Sequence, residues 1–96
     1  MDTEINYDSD KRLITCVTKE KRDFETKYEV TYIFLTPQEN IIFKDLYYNE
    51  TIKVEDYSYL LEEKAFVTAI CRLRQKVKSI YKIRKIRKVC YMLIRR

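Results

Sequence analysis

No residue of this chain is glycine. A loop that cradles a phosphate needs glycine so that backbone amides can approach the ligand. Phosphate loops and dinucleotide fingerprints are therefore excluded. Histidine is absent too. That removes the commonest general base, the commonest metal ligand and the usual partner of a catalytic nucleophile. The expectation is a non-enzymatic protein with no metal and no cofactor. The carboxylates of "DFE" and "VED" stand beside predicted turns and are read as structural.

Ninety-six residues are enough for one small domain with a modest core. The cysteines, Cys16, Cys71 and Cys90, are spaced 55 and 19 apart, which fits no zinc pattern. Their odd number argues against a secreted disulfide framework, so they read as small buried residues in a reducing compartment. The opening "MDTEINYDSD" is acidic and polar, unlike a signal peptide. The longest apolar run, "VCYMLI", is far short of the roughly 20 residues that span a bilayer. A cytoplasmic protein is expected. Ile, Lys, Tyr, Asn and Phe make up 39 of the 96 residues, the bias of an AT-rich genome such as that of a virus or mobile element.

Charge divides the chain. All 15 acids lie between Asp2 and Glu63, with 8 cations among them, a net of −7. From Lys64 to Arg96 there are 12 cations and no acid. Such asymmetry suits a protein with one end turned toward a polyanion.

Residues 1–9 read as an acidic mobile tail, and 10–96 as a single α+β domain with a basic helical extension from about 64. "RLITCVT" is rich in β-branched residues and "KYEVTYIFL" alternates, so both read as strands. "TPQEN" reads as a turn set by Pro37. "NIIFKDLYY" and "ETIKVED" read as strands three and four, joined where Asn49 tolerates positive φ. The fold class is then an antiparallel sheet of about four strands, a meander, followed by a long basic amphipathic C-terminal helix. Asp56 or Ser58 could cap that helix, and Leu60, Phe66, Ile70, Leu73, Val77 and Ile80 form its stripe. Over 58–94 it would run about 55 Å, whereas a strand of six residues covers about 20 Å. Its second half must project, bend back near Ser79 or change structure. A fifth strand over 89–94 is the alternative.

The second half carries "KIRKIRK". With no acid nearby, ion pairs cannot neutralise it, and a surface shaped only for solubility would mix its signs. The candidate phosphate contacts are Arg72, Arg74, Lys76, Lys78, Lys82, Arg84, Lys85, Arg87 and Lys88. Tyr81 and Tyr91 could stack on exposed bases. This points to a small RNA-binding protein, RNA ahead of DNA, of the ribonucleoprotein or ribosome-associated kind. The other reading is a protein-interaction module, such as a viral or mobile-element inhibitor or accessory protein, able to pair as a homodimer. Its interface residues would be Ile83, Ile86, Tyr47, Tyr48, Tyr57 and Tyr59, since tyrosine favours contacts. A membrane surface fits less well, because the apolar face is interrupted and lacks tryptophan. The face bearing Tyr28, Val30, Tyr32 and Phe34 reads first as core beneath the helix, and second as a platform for bases.

Overall fold

The computed structural model describes residues 2–88 and 90–96. The chain forms two compact units, Met1–Thr36 and Pro37–Arg96.

The first unit is an antiparallel sheet of three strands, β1 (Asp2–Asp8), β2 (Leu13–Arg22) and β3 (Glu25–Phe34), in the order β1-β2-β3. Residues 2–8, expected to be a mobile tail, are thus an edge strand. Thr3, Ile5 and Tyr7 alternate with polar residues and lie opposite Thr18, Cys16 and Ile14 of β2. That period of two marks a strand even though the residues between are mostly acids. Ile14, Cys16 and Ile33 are buried. Two turns reverse the chain without glycine. Asp8 Oδ1 accepts hydrogen bonds from the backbone N–H groups of Asp10 and Lys11 at 3.0 and 3.2 Å, and Arg12 follows with φ 53°. Asp23 holds φ 50° in the β2–β3 turn; aspartate is among the few residues that accept that region readily.

The second unit contains α1 (Pro37–Asn49), β4 (Thr51–Lys53), a single 3₁₀ turn (Val54–Tyr57), α2 (Glu63–Val77), β5 (Tyr81–Arg87) and β6 (Cys90–Arg95). Its antiparallel sheet has the order β4-β6-β5. The core is made by Ile42, Phe43 and Leu46 of α1, Phe66, Ala69, Ile70, Leu73 and Val77 of α2, and Ile52, Ile83 and Tyr91 of the sheet. Aromatic rings link these layers. Phe43 meets the edge of Tyr81 with centroids 5.8 Å apart, and Phe66 lies between Tyr57 at 5.2 Å and Tyr91 at 5.9 Å.

This architecture replaces the expected meander and long helix. The described residues form six strands in two sheets, and two short helices. "NIIFKDLYY" belongs to α1. Its β-branched and aromatic residues favour a strand only where a pleated surface receives them. Here Ile42, Phe43 and Leu46 fall on one helical face instead, and Ile41–Ile42–Phe43 never alternates. Pro37 suits the first helical position, and Thr36 and Glu39 have the spacing of a capping box. "TPQEN" is therefore a helix start rather than a turn. The positive φ expected at Asn49 falls on Glu50, at 68°. Its N–H still bonds to Leu46 O at 2.9 Å, so the helical ladder runs one residue further before the chain reverses. "ETIKVED" yields the three-residue β4 and the 3₁₀ turn.

α2 begins at Glu63, with Glu62 at its N-cap, and not at Asp56 or Ser58. It ends at Val77, close to where the apolar stripe changes phase. Ile80 N–H bonds to Val77 O at 2.9 Å, and the chain turns into β5. "KIRKIRK" is thus strand and hairpin, not helix. A continued helix would carry Ile83 and Tyr91 beyond anything that covers them. Folding back as a hairpin places Ile83 opposite Leu93 and Lys85 opposite Tyr91, and buries both Ile83 and Tyr91. The fifth-strand alternative for the end of the chain corresponds to β6.

Candidate functional site

The acid-free third of the chain makes the outer face of α2 and the β5–β6 hairpin. Burial of Phe66, Ile70, Leu73 and Val77 turns the opposite side of α2 to solvent. That side carries Lys64, Thr68, Cys71, Arg72, Gln75 and, just past the end, Lys78, all exposed. Glu63 in the first turn is the helix's only acid. Thr68 Oγ1 donates to Lys64 O at 3.0 Å, while Arg72 and Gln75, three apart, stand on the same exposed side.

On β5, Tyr81 and Ile83 point inward and are buried, which sends Lys82 and Arg84 to the other face. The register shifts between Lys85 and Arg87. Such an irregularity bends a strand and re-aims its side chains. Lys85, Ile86, Arg87 and Lys88 are all exposed at the hairpin tip. No carboxylate stands on either strand, and each cation of β5 lies opposite an uncharged residue of β6, Lys82 opposite Ile94 and Arg84 opposite Met92.

Seven of the nine predicted phosphate contacts are thus exposed on α2 or the hairpin: Arg72, Lys78, Lys82, Arg84, Lys85, Arg87 and Lys88. The other two are tied into the body. Arg74 Nε donates to Ile83 O at 3.0 Å, and its guanidinium lies over the Tyr91 ring at 5.6 Å. Lys76 Nζ donates to Glu39 Oε1 at 2.6 Å, and the Glu39 side chain is 2% exposed. These two cations join α2 to β5 and to α1.

Tyr81 and Tyr91, the expected stacking rings, are both buried. Among the expected interface residues, Ile83 and Tyr57 are core, and Ile86, Tyr47, Tyr48 and Tyr59 are exposed. Tyr57 OH donates to Asp45 Oδ2 at 2.5 Å. Burial first, and then that carboxylate, push the Tyr57 pKa far above its ordinary value. The row Tyr28, Val30, Tyr32 and Phe34 is exposed rather than core. Phe24, at the tip of the β2–β3 hairpin, is fully exposed; no periodicity marks a residue in a turn. Lys64 and Gln75 were also legible, since the helical period opposite Phe66 and Ile70 includes them. Of the cysteines, Cys16 is buried, Cys90 is half-buried and Cys71 is exposed on α2.

Among the described residues, no cluster of histidine, cysteine or carboxylate side chains could hold a metal. Among the described residues, no helix is long and apolar enough to cross a membrane. No family model, curated sequence or solved structure matches the chain.

Proposed function

We propose that this is a non-enzymatic nucleic-acid-binding protein that reads a duplex with α2 and holds its backbone with the β5–β6 hairpin. One observation carries the reading: seven of the nine predicted cations stand exposed on adjoining elements, with no acid after Glu63 to neutralise them. Each phosphate they neutralise releases a counterion, which makes such a surface bind firmly and with a steep dependence on salt.

The sequence favours RNA through two tyrosines free to stack. With Tyr81 and Tyr91 buried, that support falls away. A single strand is held largely by stacking on exposed rings, whereas a duplex is held by phosphate contacts and groove readout. The major groove of B-DNA, about 12 Å wide, admits a helix or a two-stranded ribbon, while the deep, narrow major groove of A-form RNA cannot be read by side chains. Duplex DNA therefore suits this surface better than RNA. Arg72 and Gln75 are residue types that read guanine and adenine edges. Lys78, Lys82, Arg84, Lys85, Arg87 and Lys88 are the backbone contacts.

The test is fluorescence anisotropy with labelled duplex DNA, duplex RNA and single-stranded RNA, across about 50 to 200 mM salt. Duplex DNA should bind most tightly, with a log–log slope near −0.9 for each phosphate contacted. Replacing Arg84, Lys85, Arg87 and Lys88 together with Gln should flatten that slope by roughly three to four. A flat slope, or tighter binding to single-stranded RNA, would overturn the duplex reading.

A further inference from the structure

We infer that β3 is a self-association edge, through which two copies of this chain join their first sheets into one six-stranded sheet. β3 is an edge strand of ten residues, all exposed except Ile33. It pairs with β2 in unbroken register from Leu13–Phe34 to Arg22–Glu25, so no bulge bends it. It has no proline. Natural sheets blunt exposed edges with prolines, bulges, short strands or repeated lysines. Here one lysine, Lys27, stands alone.

Charge decides the occupant. An isologous antiparallel pair about a two-fold axis places residue i opposite residue j of the other copy with a constant sum. Centred on Tyr28, the pairing sets Lys27 opposite the second copy's Glu29 twice over. It also sets Tyr28 opposite Tyr28, Thr26 opposite Val30, and Phe24 near Tyr32. Centred one residue later, Glu29 would face its own copy, and like charges directly opposite destabilise a pair. Centred on Val30, Lys27 would face the buried Ile33. Centred on Thr26, Lys27 would face Glu25, but only residues 25–27 of the strand would pair, whereas the Tyr28 register pairs residues 25–31, matches Lys27 to Glu29 twice and covers Phe24. It also brings together two rows of exposed apolar side chains that otherwise face water: Tyr28, Val30 and Tyr32 are 64%, 46% and 59% exposed.

The inference stands apart from the nucleic-acid reading, since it concerns the other unit and is tested without nucleic acid. Sedimentation velocity of the full chain over a concentration series should give a monomer–dimer equilibrium. Lys27→Glu places like charges opposite each other twice and should weaken the dimer about tenfold. Lys27→Glu combined with Glu29→Lys restores opposite charges and should recover it. That recovery excludes misfolding as the cause. In a Cys71→Ser, Cys90→Ser background, Tyr28→Cys should cross-link under oxidation. Val30→Cys should not, because it faces Thr26 of the other copy. A monomer at every concentration would overturn the proposal, as would a dimer indifferent to Lys27→Glu or cross-linking through Val30→Cys.

Discussion

Lys76 reaches from α2 to Glu39 near the start of α1, closing to 2.6 Å on a carboxylate that is almost wholly buried. A cation from the basic third of the chain thus meets an acid from its acidic part inside the second unit. Breaking a buried pair costs about 3–5 kcal/mol, because the remaining charge is held away from water. The Lys76 side chain is itself one-third exposed, so the low end applies. Lys76→Met should lower stability by about 3 kcal/mol in urea unfolding. Adding Glu39→Gln should recover part of that loss, since the stranded charge goes with it.

Arg74 and Arg84 are both arginines of the acid-free third, yet different outcomes are expected. Arg74 holds α2 to β5 through the Ile83 carbonyl and the Tyr91 ring. Arg74→Gln should cost about 1–2 kcal/mol of stability. Arg84 is exposed on the hairpin. Arg84→Gln should leave stability within about 0.5 kcal/mol and reduce the salt slope of duplex binding by roughly 0.9. Paired unfolding and anisotropy measurements check both. The same loss of stability in the two variants would remove the distinction.

Tyr57 makes stability sensitive to alkali. Its folded pKa is raised above the ordinary 10.0 by burial and by Asp45. Below about pH 10 both the folded and the unfolded chain keep the phenolic proton, and the contribution is complete. Above that, the unfolded chain loses the proton while the native chain retains it, so stability falls as pH rises. The slope from this one group approaches about 1.4 kcal/mol per pH unit. Tyr57→Phe should flatten the pH dependence of unfolding above pH 10, at a cost of about 1 kcal/mol at neutral pH for the lost hydrogen bond. Equal alkaline slopes in the two proteins would contradict this.

Glu50 occupies the left-handed region at φ 68° directly after α1. A residue with a Cβ pays roughly 1–2 kcal/mol there, and glycine gives back about 0.5–1 kcal/mol in unfolded-state entropy. Glu50→Gly should therefore raise stability by about 0.5 kcal/mol, equivalent to roughly 2–4 °C in Tm. Thermal unfolding followed by circular dichroism checks it. A lower Tm would mean that the Glu50 side chain has a stabilising role that outweighs the strain.

The features legible in the sequence were those that depend on neighbours along the chain. Richness in β-branched residues marked β2, alternation marked β3, the period of Phe66, Ile70, Leu73 and Val77 marked α2, and the signs of the side chains placed an acid-free surface after Glu63. Whether Ile41, Ile42 and Phe43 lay on a strand or a helix depended on which layer would receive them, and the core around Phe66 and Tyr81 settled that in favour of α1. The fate of "KIRKIRK" was likewise tertiary. Its isoleucines fit a helix stripe three apart and also a strand, and β6 offered Leu93 and Tyr91 as partners that a projecting helix would have lacked. Tertiary contacts also divided nine similar cations into seven facing solvent and two, Arg74 and Lys76, holding the second unit together. Charge is a property of the residue, but exposure depends on what packs beside it, and local pattern carries no record of that.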